Sequence, residues 1–94
     1  MIQIACGHFW LIFKNGYTIR VFNGVGSYSE NQFNPNLRNK YKFDFIDSKD
    51  CEIAIIYNNE LVTNKFIDTD NDSVCGFVSS DELADIIYKV KNID

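Results

Sequence analysis

Three short stretches of the sequence contain residue types that could bind a ligand or take part in catalysis. Residues 68–72 read Asp-Thr-Asp-Asn-Asp, residues 24–31 combine two glycines with Ser, Tyr and Asn, and Cys6 stands two residues before His8. The corresponding chemistries are calcium coordination, phosphate binding and nucleophilic catalysis. Each of them requires further residues at defined positions, so the surrounding sequence tests all three.

The aspartate run begins like the calcium-binding loop of an EF-hand. In that loop the sixth position is glycine and the twelfth is a bidentate glutamate, whereas this chain has Ser73 and Ser79 at those positions. No helical pattern precedes the run. The sequence therefore predicts either a plain acidic turn before a strand or part of a charged interaction face, with no metal and no cofactor.

The glycine stretch lacks two features of a phosphate-binding loop. A dinucleotide-binding fingerprint has a third glycine and leads into a helix, but here an Asn-rich segment with the single proline, Pro35, follows. Residues 24–40 are instead predicted to form a long surface loop. Two interpretations stay open: a simple glycine turn, or a binding loop in which Tyr28 and Asn31 contact a partner.

The pair formed by Cys6 and His8 is also incomplete as a catalytic site. The two side chains would share one face of a strand, but no third group that could orient the histidine is near them in the sequence. Catalytic nucleophile and base pairs depend on such a group. We therefore expect the protein to have no catalytic residues and not to be an enzyme.

The composition is that of one small folded domain spanning residues 1–94. Apolar residues make up 46 % of the chain and aromatic residues 15 %, which is enough for a packed core. The chain has no apolar run of about 18 residues and no secretory signal pattern, so we expect an intracellular protein. Cys6, Cys51 and Cys75 form no CxxC pair, which predicts free, buried thiols.

The net charge is −4, and many of the acids lie in the C-terminal part of the chain. Direct binding to nucleic acid requires clustered Lys and Arg to neutralise phosphates, so this charge argues against it. A basic protein surface is the better electrostatic partner. The acids that we expect to face such a partner are Asp68, Asp70, Asp72, Asp81 and Asp85.

Two hairpins can be predicted from the pattern of β-forming residues. The Asn-Gly dipeptide at 15–16 is a strong signal for a two-residue type I′ turn, which would place Ile12 opposite Ile19. The second hairpin turns at residues 58–60 and returns through 61–66. Alternating aromatic residues predict a further short strand over 40–47. Apolar residues on both faces of the first hairpin indicate internal strands.

The clearest helix signal is at the C-terminal end of the sequence. Ser79 and Glu82 have the spacing of a capping box, and a strand pattern ends directly before them. The apolar positions that follow recur with helical spacing and would pack on a sheet: Leu83, Ile86, Ile87 and Val90. The predicted fold is α+β, with an antiparallel β-sheet of five to six strands and one C-terminal helix packed on one face.

Several short motifs of this chain resemble, in the same order, those of small phage and prophage proteins. These motifs are a Gly-x-Gly-x-Tyr-x-x-Asn loop, a Glu-x-Ala strand, and an acidic turn followed by a Gly-aromatic strand and a capped helix. The matching residues here are Gly24, Gly26, Tyr28, Asn31, Glu52, Ala54, Asp72, Gly76 and Phe77. In size and charge the chain is also similar to anti-CRISPR proteins. The resemblance implies a phage protein that acts in the cytoplasm of its host cell.

The resulting prediction is a non-enzymatic, phage-encoded inhibitor of a bacterial defence system. It would bind a host effector protein such as a CRISPR effector complex and occlude its nucleic-acid site, with Tyr28 as an anchor and the acids as charged contacts. One alternative is an oligomeric sponge for a nucleotide signal, which would use Arg20, Arg38 and Lys40 as donors. The other is a structural phage protein that associates with itself through its apolar sheet faces, for instance as a homodimer.

Overall fold

A computed structural model describes residues 1–5, 7–34, 47–69 and 72–93. Six antiparallel strands form one sheet in the order β1-β2-β3-β4-β5, with β6 also paired to β4, and a helix follows β6. The predicted α+β fold is confirmed. The elements are β1 (Ile2–Ala5), β2 (His8–Ile12), β3 (Tyr17–Phe22), β4 (Asp50–Tyr57), β5 (Glu60–Leu61), β6 (Cys75–Ser79) and α1 (Ser80–Lys91).

The core lies between α1 and one face of the sheet, which we call the helix face. On β3 and β4, Ile19 pairs with Ile55 and Val21 with Ile53, and all four side chains are buried there. The helix contributes Val90, which is fully buried, to the same cluster. On the opposite face of the sheet the rings of His8, Trp10 and Phe22 stack in a row.

Helix α1 begins at the predicted capping box. The hydroxyl of Ser79 accepts a hydrogen bond from the backbone N–H of Glu82 at 3.2 Å, and the Glu82 carboxylate accepts one from the backbone N–H of Ser79 at 3.3 Å. Such a cap stabilises a helix by about 1 kcal/mol. The predicted apolar stripe is also confirmed, because all four of its members belong to the core or pack against it: Leu83, Ile86, Ile87 and Val90.

The first hairpin forms, but the register predicted for it is wrong by one residue. Leu11, not Ile12, lies opposite Ile19. The loop therefore has three residues instead of the two of a type I′ turn, and only Gly16 among them has a positive φ, of 91°. A shift of one residue exchanges the two faces of a strand, so the side chains on β2 that face the helix are Phe9 and Leu11.

The side chain of Asn15 accounts for this turn. Its Oδ1 accepts a hydrogen bond from the backbone N–H of Tyr17 at 3.1 Å. Its Nδ2 donates to the backbone carbonyls of Val90 at 2.8 Å and Ile93 at 3.2 Å, at the end of α1. The turn is thus held by a contact distant in sequence, which the Asn-Gly dipeptide alone does not reveal.

A two-residue turn of the type I′ kind is found in the second hairpin. Asn58 and Asn59 both have positive φ, of 53° and 64°, and join Tyr57 to Glu60. The predicted return strand over 61–66 is wrong beyond Leu61, where β5 ends and a 3-10 turn, Thr63–Lys65, follows. The cause is the buried Thr63, whose hydroxyl accepts the Ile55 N–H and donates to the Ser73 carbonyl.

Two further sequence predictions, the strand over 40–47 and the absence of a membrane-spanning segment, can be compared with the described residues only. The strand predicted over 40–47 lies outside the described residues except for Asp47, which is in no strand. Among the described helices, none has the length and apolar character needed to cross a membrane.

The thiol of Cys51 is buried in the core. Burial, with the neighbouring Asp50 carboxylate as the second cause, raises the pKa of this thiol from 9.0 to about 11. Burial also raises the pKa of the Cys75 thiol. Since the thiolate is the reactive form of cysteine, both groups are expected to be inert at neutral pH.

Cys51 should make the fold less stable at high pH. At a pH below 9.0, the pKa of this thiol in the unfolded chain, the thiol is protonated in both the folded and the unfolded protein. Between pH 9 and about 11 the unfolded chain releases the proton, whereas the folded chain retains it. The free energy of unfolding should therefore fall across this interval by about 2–3 kcal/mol. Urea unfolding at pH 8 and 10.5 measures this, and a Cys51→Val variant should show a smaller fall. An identical fall in the variant would contradict the assignment.

Candidate functional site

The glycine stretch forms a compact loop with a polar interior, which we call the tyrosine loop (residues 23–34). Ser27 and Ser29 are buried, and their hydroxyl groups contact each other at 2.7 Å. Ser27 also donates to the Gly24 carbonyl at 2.6 Å, and Ser29 accepts the backbone N–H of Asn31 at 3.1 Å. The described part of the surface loop predicted over 24–40 is thus a loop whose short polar side chains bond to one another inside it, and residues 35–40 lie outside the described residues.

Asn31, a predicted partner contact, lies inside the loop. Its side chain is buried, and its Nδ2 donates to the carbonyls of Asn23 at 2.9 Å and Asp47 at 2.8 Å. Both amide protons are therefore used within the protein. Its role is to tie the loop to the segment before β4, and its amide does not face outward to a partner.

Tyr28, the other loop residue predicted to contact a partner, is held by its backbone. Its N–H donates to Oε1 of Glu52 on β4 at 3.1 Å, and its carbonyl accepts the N–H of Phe77 on β6 at 2.8 Å. The residue as a whole is nevertheless 46 % exposed. Both backbone groups of Tyr28 are thus fixed to the sheet while its ring remains accessible, an arrangement that we call the tyrosine clamp.

A β-bulge in β6 makes the clamp possible. Cys51 pairs with Val78 and Ile53 with Cys75, so that Gly76 and Phe77 together lie opposite one residue of β4, Glu52. Phe77 has a φ of 55°. This left-handed conformation costs a non-glycine residue about 1–2 kcal/mol. The bulge frees the N–H of Phe77 for the loop.

Gly76 allows the loop to approach the bulge. A Cβ atom placed on Gly76 would lie 2.5 Å from the Cβ of Tyr28 and 3.1 Å from its carbonyl oxygen. Real side chains do not tolerate the first of these distances. Glycine is therefore required here for steric reasons, because its missing side chain leaves the space that the backbone of Tyr28 occupies.

Glu52 joins the clamp to Arg20 on β3. Its second carboxylate oxygen, Oε2, lies 3.1 Å from Nη2 of Arg20, and its side chain is buried. A buried carboxylate needs such partners because burial without them is costly. Arg20, the first donor suggested for a nucleotide, is thus engaged by Glu52, while Arg38 and Lys40 lie outside the described residues.

Acidic residues lie at the start of β4 and of α1, close along these elements to the clamp residues Glu52 and Phe77. The backbone N–H of Glu30 donates to Oδ1 of Asp50 at 2.7 Å. Asp50 pairs with Ser79, and Asp81 and Glu82 lie in the first turn of the helix that Ser79 caps. We call this group, formed by Glu30, Asp50, Asp81 and Glu82, the acidic rim.

The remaining predicted acids lie further along α1 and in the turn before β6. Asp85 lines a shallow groove between α1 and the segment that contains Phe66 and Ile67. Asp68 follows this segment directly, and Asp68 and Asp72 are both exposed. Asp70 lies outside the described residues. Within the described parts of the chain, no group of three or more His, Cys, Asp or Glu side chains could hold a metal ion.

Sequence reasoning placed Tyr28 at the site but assigned no role to the three residues that hold it. These residues are Glu52, Gly76 and Phe77. A signal for Glu52 was present, because it is a charged residue within the otherwise apolar run CEIAIIY, and such a residue must either be paired or face solvent. The bulge at Gly76 and Phe77 has no comparable signal.

Comparison of the chain with protein-family models, with curated proteins and with solved structures finds no match.

Proposed function

We propose that the protein is a non-enzymatic, phage-encoded inhibitor of a bacterial defence system that binds a host effector, such as a CRISPR effector complex. In this proposal it covers a basic surface that would otherwise bind nucleic acid. The observation that carries the proposal is the tyrosine clamp, which presents the accessible ring of Tyr28 on the same end of the sheet as the acidic rim. The proposed phage origin rests on the resemblance of its short motifs to those of phage proteins.

The clamp favours a role in protein binding because it fixes the position of Tyr28 in advance. Tyrosine is among the residues that contribute most to protein interfaces. An anchor that is already ordered loses less conformational entropy when it binds than a flexible one does. Hydrogen bonds to both backbone groups of Tyr28 provide this order without using its hydroxyl group.

The acidic rim supports a partner with a basic surface. Glu30, Asp81 and Glu82 are exposed residues near the ends of the strands that hold Tyr28, and the Glu82 carboxylate also caps α1. A surface that binds nucleic-acid phosphates is rich in Lys and Arg. Acids in this position would attract such a surface and accelerate association with it.

Reversal of one charge in the acidic rim tests the proposal. An Asp81→Lys variant should inhibit DNA cleavage by the host's purified CRISPR effector complex about tenfold less well than the wild type. The reason is that it places a positive charge opposite the basic surface of the partner. Inhibition by the variant should also depend less on salt concentration. The measurement is the half-inhibitory concentration at two ionic strengths.

Glu60→Lys is the matched control, because it changes the net charge by the same amount. Glu60 is exposed and pairs with Tyr57, at the far end of β4 from Asp50, about 23 Å away at the usual rise per strand residue. The control should inhibit like the wild type. Equal losses for both variants, or no inhibition by the wild-type protein, would count against the proposal.

A further inference from the structure

The outer edge of β1 has features of an interface between two copies of the chain. In the sheet, β1 is the first strand and pairs with β2 alone among the described strands. Its residues read Ile-Gln-Ile-Ala, without a charge or a proline. Proteins usually protect such an edge with charged residues, proline or a bulge.

The hydrogen bonds between β1 and β2 determine which backbone groups point outward. Met1 and Ile12 exchange both of their backbone hydrogen bonds, at 2.8 and 2.9 Å. In an antiparallel ladder such pairs alternate with pairs that do not bond to each other. In the register of these strands, Gln3 therefore bonds to β2, whereas the N–H and C=O groups of Ile2 and Ile4 point toward the open edge.

The same two residues expose their side chains. Ile2 is 67 % and Ile4 82 % exposed, although they lie on the helix face beside Leu11 and Phe9. The helix packs mainly on β3 and β6 and leaves these two residues uncovered. Outward backbone groups and uncovered apolar side chains thus coincide on this strand.

We propose that two copies of the chain pair through β1 in an antiparallel, two-fold symmetric arrangement centred on Gln3. In this register Ile2 of one copy lies opposite Ile4 of the other, and the backbone groups of these residues form four hydrogen bonds. All four isoleucine side chains then lie on the same side of one continuous sheet and cover each other. The pattern is self-complementary about Gln3, which is the requirement for a two-fold interface.

This interface differs from the association through sheet faces suggested by the sequence, and it does not depend on the proposed inhibition. Its affinity should be modest. Stable interfaces bury about 1,600 Å² in total, and a four-residue strand provides less than that. We expect a dissociation constant of the order of 10–100 µM.

Sedimentation equilibrium of the full chain between about 5 and 500 µM tests the interface. The wild-type protein should change from monomer to dimer over this range, and an Ile4→Lys variant should dissociate at least tenfold more readily because it places a charge in the apolar contact. An Ile4→Pro variant removes the outward N–H without removing a hydrogen bond to β2, and it should also be monomeric.

Leu61→Lys is the control, because Leu61 is also exposed, at 50 %, and lies on β5 at the other edge of the sheet. It should dimerise like the wild type. Circular dichroism of the variants shows whether each has folded. The proposal is overturned by a wild-type protein that stays monomeric at the highest concentration, by a dimer that Ile4→Lys leaves intact, or by assembly beyond the dimer.

Discussion

Replacing Gly76 with alanine should separate the tyrosine loop from the sheet and lower the free energy of unfolding by about 2–4 kcal/mol. The new Cβ would lie 2.5 Å from the Cβ of Tyr28, within a contact between two backbone segments that cannot easily move apart. The hydrogen bond from Phe77 to the Tyr28 carbonyl, now 2.8 Å long, would be lost as the loop shifts. Urea unfolding at pH 7 measures the change.

Gly26→Ala is a matched control within the same loop. Gly26 has no atom within 4 Å of its added Cβ, but its φ is 89°, so this substitution introduces backbone strain of about 1 kcal/mol without a clash. If the free energy of unfolding falls no more for Gly76→Ala than for the control, the loop can move aside without cost. The clamp would then not hold Tyr28 rigidly.

The same pair of variants connects stability to the proposed inhibition. If the ring of Tyr28 is the anchor, Gly76→Ala should weaken inhibition because the ring is misplaced, whereas Gly26→Ala should retain it. Tyr28→Ala provides a separate comparison, because it removes the side chain of an exposed residue and leaves the backbone hydrogen bonds in place. Inhibition should then be lost with little change in the stability of the fold.

Substituting Glu52 with alanine should destabilise the protein by about 3 kcal/mol. The change leaves the Tyr28 N–H without its acceptor and the Arg20 guanidinium without its carboxylate. Loss of one partner of a buried ion pair typically costs 3–5 kcal/mol. We expect a value at the lower end of this range, because the Arg20 side chain is 31 % exposed and solvent compensates part of its charge.

Glu52→Gln distinguishes the two contacts of this residue. Glutamine retains an acceptor for the Tyr28 N–H but lacks the negative charge that Arg20 contacts, so the expected loss is about 1 kcal/mol. Hydrogen exchange of the Tyr28 amide should be fast in Glu52→Ala and slow in Glu52→Gln. Fast exchange of this amide in the wild-type protein would show that the clamp does not persist in solution.

The sequence predicts the fold well wherever the signals are local. The start of the helix and its buried face followed from the capping box at Ser79 and Glu82 and from apolar positions three and four residues apart. The register of the first hairpin could not be predicted from local signals, because Asn15 bonds to carbonyls at the end of α1. A contact between the two ends of the chain outweighed the local preference of an Asn-Gly turn, and no turn rule contains that information.

The candidate site could be predicted only in part for a similar reason. Tyr28 stood out as an aromatic residue in a polar loop, and its exposure agrees with that interpretation. Asn31 has the same polarity as a surface residue, but two backbone carbonyls brought close by the fold take its amide protons. Whether a polar side chain faces solvent or fills a loop depends on such nearby groups, which the sequence does not specify.

The bonds made by Asn15 have a consequence for how the domain folds and opens. A helix leaves its last four carbonyls without a donor of its own, and at the end of α1 the tip of the first hairpin supplies one, across 75 residues of sequence to Val90. Fraying of the helix end and opening of the hairpin tip are therefore coupled. The first and last segments of the chain belong to one cooperative unit, and its dependence on distant contacts favours folding in milliseconds to seconds over the microseconds typical of helical bundles.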